Sequence, residues 1–197
     1  MNVILLGKPG SGKGTAGIEI AKDFNFKLIS TGDLLRQEKS SGSTIGKQIE
    51  SIMDRGDLVS DDIINDIIEQ ELSKPLPIDM YYLFDGYPRT ISQARRLDEM
   101  LNISAVVYFD VDDATIAERI EQRGKKSGRE DDQDSDTTKC RLENYYKDTQ
   151  PVVDLYENSD RLYKVDASKS AISVYLQIKQ LINKLNKEEE EEDNGIY

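Results

Sequence analysis

A chain of 197 residues with 26 Lys and Arg against 38 Asp and Glu carries a formal net charge of −12 and is long enough for one domain with a single buried interior. So acidic a body repels nucleic acid and anionic lipid, and one cysteine with no histidine excludes a disulfide framework, a histidine-based triad and a four-ligand Cys/His zinc site. No window approaches the roughly 18 apolar residues of a membrane span and no leader pattern opens the chain, so a cytoplasmic protein is expected.

In chain order, Val3-Ile4-Leu5-Leu6 reads as a buried strand that ends in the glycine-rich turn Gly7-Lys8-Pro9-Gly10-Ser11-Gly12-Lys13-Gly14-Thr15. A helix from Lys13 to Phe24 follows. Glycines let consecutive backbone N–H groups converge, the helix adds the positive end of its dipole, and Lys13 brings an ammonium, so the turn is a phosphate cradle suited to a nucleoside triphosphate. The common form of this loop places a Ser or Thr directly after the lysine as a magnesium ligand. Here Gly14 intervenes and the hydroxyl arrives at Thr15.

Lys27-Leu28-Ile29 is a short predicted strand, and Asp33 to Ser73 is helical in character, broken at Ser40 to Ser43 and near Gly56 and ended by Pro75 and Pro77. Tyr81 to Phe84 and Ala105 to Phe109 read as buried strands, each followed by an acidic residue and a helix. Arg161 to Val165 gives a last strand and Ile172 to Leu185 a last helix. The alternation predicts an α/β P-loop three-layer fold, a central parallel sheet with helices on both faces and ligands beyond the strand C-terminal ends.

Residues 30–60 and Gly124 to Asp136 interrupt that alternation, and neither is expected to contribute much to the core. Both are candidate lids over a phosphate site, with a plain solvated loop as the alternative for the second. The eleven residues from Lys187 to Tyr197 include the acidic run Glu188 to Asp193, which holds half of the net charge, and are expected to be disordered.

Arginines set this chain apart. Arg119 and Arg123 lie four apart on one helix face, Arg129 and Arg141 flank the polar loop, Arg36 lies in the first insert, and Arg89 ends Asp85-Gly86-Tyr87-Pro88-Arg89. Any one of them alone reads as a surface residue or an ion-pair partner. Together they suit phosphoryl transfer, in which guanidinium forks balance charge on the migrating oxygens.

These blocks resemble the nucleoside monophosphate kinases, and most closely the adenylate kinases with a short lid. The resemblance runs from Asn2 to about Leu185. It rests on residues 7–15, Ser-Thr-Gly-Asp-Leu-Leu-Arg at 30–36, Gly-Asp-Leu-Val at 56–59, Asp-Gly-Tyr-Pro-Arg-Thr at 85–90, Arg119-Ile-Glu-Gln-Arg123, residues 127–132, and Asp-Ala-Ser-Lys-Ser at 166–170. It implies one kinase domain over residues 1–186, with a core of 1–29, 61–123 and 137–186, a nucleotide-binding insert at 30–60 and a lid at 124–136.

It also implies roles. Gly10, Ser11, Gly12, Lys13, Gly14 and Thr15 would wrap the triphosphate of ATP. Arg119 would stack near its adenine, with the backbone around Lys169 closing over the base. Thr31 and Gln93 would read the adenine of AMP, Arg36 and Arg89 would hold its phosphate, Asp57, Leu58 and Val59 would line its pocket, and the turn Gly86-Tyr87-Pro88 would border it. Arg123, Arg129 and Arg141 would converge on the phosphates, with Lys13 and Arg89, Arg119, Arg123, Arg129 and Arg141 as the catalytic set. Asp85 would orient Mg²⁺ through water, and ATP, AMP and ADP would be the substrates of a monomer. Alternatives are a uridylate-cytidylate kinase, which usually carries alanine and asparagine where Thr31 and Gln93 stand, and a sensor that binds both nucleotides without turnover.

Three departures from the family pattern stand out. Arg129 and Arg141 are one residue further apart than is usual, which puts the placement of Arg141 in question. Lys8 is an uncommon residue that adds charge beside the phosphates. Gly17 in the first helix costs about 1 kcal/mol relative to alanine.

Overall fold

The computed structural model describes residues 1–127 and 134–193. Five parallel strands form one sheet in the order β2-β3-β1-β4-β5: β1 (Asn2–Gly7), β2 (Phe26–Ser30), β3 (Tyr81–Asp85), β4 (Ile103–Asp110) and β5 (Leu162–Asp166). The central strand reads as an unbroken apolar run because both of its faces are covered. Val3 and Leu5 enter one core cluster, Ile4 and Leu6 the other.

The first face is covered by α1 (Lys13–Asp23), α6 (Asp113–Ser127) and α9 (Ala171–Asp193), which bury Ala16 and Ile20, Ile116 and Ile120, and Val174, Ile178, Ile182 and Leu185. On the other face lie α2 (Thr31–Ser41), α3 (Thr44–Asp54), α4 (Asp61–Leu72), α5 (Ile91–Met100) and α8 (Gln150–Glu157), the last joined to α7 (Ser135–Asn144) by a π-helical stretch Tyr145–Thr149. The insert of residues 30–60 contributes to this second cluster through Leu35, Ile49 and Val59, contrary to the sequence expectation. Its helices are amphipathic on the 3.6-residue period, and α2 and α3 approach closely enough that a Cβ on Gly46 would lie 2.4 Å from the Glu38 carbonyl.

Other boundaries move. Gly124 to Ser127 is the last turn of α6 and not loop, and α7 opens at Ser135 behind an Asp134 cap whose carboxylate accepts from the Thr137 N–H at 3.0 Å and hydroxyl at 2.6 Å. Helix α9 runs on to Asp193, so residues 187–193 of the expected disordered tail are helical. Lys184 pairs with Glu188 one turn on, and Glu189 meets both the Met1 ammonium at 3.6 Å and the Ser104 hydroxyl at 3.3 Å. Gly17 has a packing role: a Cβ there would stand 3.1 Å from Cδ1 of Leu5, so its absence lets α1 lie close on the sheet. No helix among the described residues is long and apolar enough to cross a membrane.

Candidate active site

The strand register sets the site. Asp85 at the end of β3 lies beside Leu5 of β1 and Ser30 of β2, so the loop after β1, the start of α2 and the turn after β3 share one edge of the sheet. The loop turns through Gly10 and Gly12, at φ +80° and +98°, a region that favours glycine. A Cβ on Gly10 would stand 2.7 Å from Cγ1 of Ile120 on α6. Gly12 then caps α1, whose first backbone N–H groups are aimed into the cleft.

Lys13 donates to the carbonyls of Gly7 at 2.7 Å and Lys8 at 2.8 Å and to Oγ of Ser11 at 3.2 Å. Burial lowers its pKa to about 8; Asp85 opposes the shift, while the positive charges of Arg89, Arg141 and Arg123 add to it. Lys8 does not add charge to the cleft. Its ammonium turns away to the Val111 carbonyl at 3.1 Å and to Asp113 at 2.6 Å, and the Tyr146 hydroxyl donates to the same carboxylate.

A cleft of about 290 Å³ opens above the loop, lined by Gly10, Gly12, Lys13, Gly14, Thr15, Asp85, Pro88 and the guanidinium-bearing Arg36, Arg89, Arg123 and Arg141. A second cavity of about 70 Å³ adjoins it, walled by Thr31, Leu35, Met53, Asp57, Leu58, Val59, Ile64 and Gln93. The two share Arg36, Arg89 and Arg141. Crowded cations and burial both disfavour charge: the pKa of Arg89 is lowered by burial first and then by Arg141, against the pull of Asp85. The Arg89 guanidinium is steadied by the Gly86 carbonyl at 2.8 Å, and Gly86 is obligatory at φ +79°, because a Cβ would fall 2.7 Å from Oγ1 of Thr31.

The other anticipated residues divide. Arg119 lies outside the cleft wall and spans from the Ser11 carbonyl at 3.5 Å to the carbonyls of Ser168 and Lys169, both at 3.3 Å. Tyr87 lines neither cavity; it is fully buried in the core and its hydroxyl donates to Asn65 at 2.9 Å. The buried Ser11 acts through its bond to Lys13. Arg129 lies outside the described residues, as do residues 128–133 of the anticipated lid. Asp85 faces the loop: a Cβ on Gly14 would lie 3.3 Å from its Oδ2, so a side chain after the lysine would crowd this carboxylate.

Sequence reasoning missed a supporting layer. Asp61 accepts from Nε2 of Gln93 at 2.7 Å and from the Thr90 hydroxyl at 2.8 Å, while Oε1 of Gln93 accepts from the Arg89 N–H at 2.7 Å. One face of α7 docks on the turn that ends the insert. The Thr137 hydroxyl oxygen lies 3.0 Å from the Asp54 carbonyl, Asn144 donates to the Gly56 carbonyl at 3.0 Å, and the Cys140 thiol lies 3.6 Å from Asp57. The spacing 137, 140, 141, 144 is that of a single helix stripe, and it holds Arg141 over both cavities despite the lengthened segment before it.

Comparison with known proteins agrees with this geometry. The adenylate kinase family model matches residues 5–161. The chain belongs to the adenylate kinase family. It is 41% identical over 189 residues to the adenylate kinase of Xanthomonas euvesicatoria pv. vesicatoria, covering 93% of this chain and 100% of that protein. The adenylate kinase of Thermus thermophilus is 39% identical over 182 residues, covering 90% and 94%, and that of Hyphomonas neptunium is 39% identical over 183 residues, covering 90% and 96%. The departures at Lys8 and Gly17 therefore sit within an adenylate kinase frame of ordinary length.

Proposed function

We propose that this member of the family transfers the terminal phosphoryl of MgATP to AMP reversibly, giving two ADP, with the larger cleft as the donor site and the smaller cavity as the acceptor site. The observation that carries the reading is the shared wall: Arg36, Arg89 and Arg141 stand where the phosphates of two nucleotides held in those cavities would meet. Phosphoryl transfer asks the protein for position and compensating charge and little else. The acceptor oxygen is already anionic, so no general base is required, consistent with a chain that has no histidine.

In this mechanism the loop from Gly10 to Thr15 holds the triphosphate on backbone N–H groups. Lys13 exchanges its carbonyl partners for the migrating phosphoryl, and Arg123 and Arg141 follow the charge as it moves. Arg36 and Arg89 fix the acceptor phosphate, and Thr31 and Gln93 meet its base. Arg119, tied to the Ser11 and Lys169 carbonyls, borders the donor base. Mg²⁺ enters with the nucleotide as part of the substrate, carried by phosphate oxygens and steadied by Asp85 through water. Residues 30–60 close over the acceptor, which favours transfer to AMP over transfer to water. A monomeric, cytoplasmic enzyme completes the proposal.

The test is a coupled assay of ADP formation from MgATP with AMP, CMP, UMP and GMP as acceptors. AMP is expected to be phosphorylated much faster than the rest; comparable rates on a pyrimidine acceptor would favour a uridylate-cytidylate kinase, and binding without turnover would favour a sensor.

A further inference from the structure

The hydrogen bonds around Gln93 determine which way its amide points. The residue is 3% exposed and lines the acceptor cavity. At one end the Arg89 backbone N–H, which can only donate, reaches it at 2.7 Å; at the other the Asp61 carboxylate, an acceptor when ionised, lies 2.7 Å away. The oxygen must face Arg89 and the nitrogen must face Asp61, since a flipped amide would set N–H against N–H and oxygen against carboxylate. Asp61 is itself held by the Thr90 hydroxyl at 2.8 Å, and the same hydroxyl oxygen accepts the Gln93 backbone N–H at 3.2 Å, so the carboxylate and the amide belong to one small network at the starts of α4 and α5.

Each end of the amide keeps one bonding position: the second lone pair of the oxygen and the second hydrogen of the nitrogen. An acceptor beside a donor in fixed order matches a base edge with an exocyclic amine next to a ring nitrogen acceptor, the pattern of adenine. The flipped order would match a carbonyl next to a ring N–H, the pattern of guanine and hypoxanthine. We infer that Asp61 is a specificity-determining positioning residue, which excludes oxopurine acceptors by holding the Gln93 amide in one of its two orientations. The inference rests on the acceptor-site reading above. It concerns amine against carbonyl alone; a cytosine edge carries the same order as adenine and is judged by the size of the cavity.

The experiment measures kcat/KM for AMP, GMP and IMP with saturating MgATP in the wild type and in Asp61→Ala, Asp61→Leu and Asp61→Asn. Wild-type preference for AMP tests the acceptor-site reading, and its absence overturns that reading separately. Given that preference, both truncations are expected to lower the AMP:GMP and AMP:IMP ratios about tenfold, leaving some selectivity because the Arg89 N–H still anchors the oxygen. The asparagine carbonyl can still accept from Nε2, so Asp61→Asn is expected to keep both ratios within about threefold. KM for MgATP should not move in any of the three. If Leu proves too bulky to fold, Ala is read alone, and if neither truncation folds, Asp61→Ser is read in their place by the same criteria. Equal losses on all three acceptors, or wild-type ratios in a truncated variant, overturn it, because a structural role would lower every acceptor alike.

Discussion

The two cavities are built in opposite ways. The larger one is walled on its lower side by one continuous stretch of chain, from Gly7 to Thr15, whose backbone does the positioning and whose glycines are required by φ and by close approach to α6. The smaller one gathers Thr31, Arg36, Leu58, Gly86, Gln93 and Arg141 from separate elements, and its order comes from side chains behind the wall, Asp61, Thr90 and Thr137, and from Asn144, which lines the larger cleft. A contiguous backbone site tolerates change at its neighbours. A site assembled from distant pieces inherits the tolerance of each joint, so its weak points lie one layer out.

The first way to break that contrast is at the lysine. Lys13→Met is expected to lower kcat by about 10²–10³-fold with the fold intact, as for loss of one preorganised charge at a transition state; a rate within a few fold of wild type would remove the loop from the mechanism. Arg89→Lys comes next, with about a hundredfold fall in kcat/KM for AMP, because a point charge cannot replace a fork that also bonds the Gly86 carbonyl. Retention of activity would show that Arg89 acts only as bulk charge.

The donor side carries a pH signature at Lys13. Lys13 has a pKa of about 8 against an ordinary 10.5, depressed first by burial. Between those values the unfolded chain holds the proton and the folded chain does not, so this group makes stability rise with pH over that window and makes its full unfavourable contribution below it. Nucleotide affinity moves the other way, because the phosphates favour the ammonium. The Kd for MgATP is expected to be flat below pH 8 and to climb toward about tenfold per pH unit above it, with Lys13→Met flattening the climb. A flat profile in the wild type would contradict the assignment.

Asn144→Ala probes the tie of α7 to the acceptor side at a residue that lines the larger cavity and not the smaller. Loss of one hydrogen bond to the Gly56 carbonyl, worth about 1 kcal/mol, should raise KM for AMP about fivefold and KM for MgATP by less; an equal rise for both nucleotides would show that α7 serves the whole site and not one cavity. The smallest effect is expected from Gly17→Ala, where about 1 kcal/mol of helix propensity opposes a methyl pressed to 3.1 Å from Leu5, leaving thermal stability within about 1 kcal/mol of wild type.

This division also explains what could be read in advance. The strand-loop-helix unit from Asn2 to Asp23 was legible because apolar run, glycines and lysine are adjacent in the chain, and Arg36, Arg89, Arg123 and Arg141, four of the six arginines anticipated for phosphoryl transfer, line the cleft. Helix α7 was not legible, since the stripe that matters in it is polar and bonds to backbone carbonyls, which apolar periodicity does not register. Asp61 looks like any acidic residue in a first helical turn. Lys8 misleads because its partners Asp113 and Tyr146 are more than a hundred positions away. The helical extension to Asp193 escapes for a similar reason, since the tie between Glu189 and Met1 joins opposite ends of the sequence.

Helix α7 is tied to the turn at 54–57 through Thr137 and Asn144. Arg141 therefore stays on the shared wall although its distance in sequence from Arg129 is one residue longer than is usual in the family. Loop length and chemistry become separable traits: one can vary from lineage to lineage, or be altered by an engineer to tune how fast nucleotides come and go, while the other stays clamped.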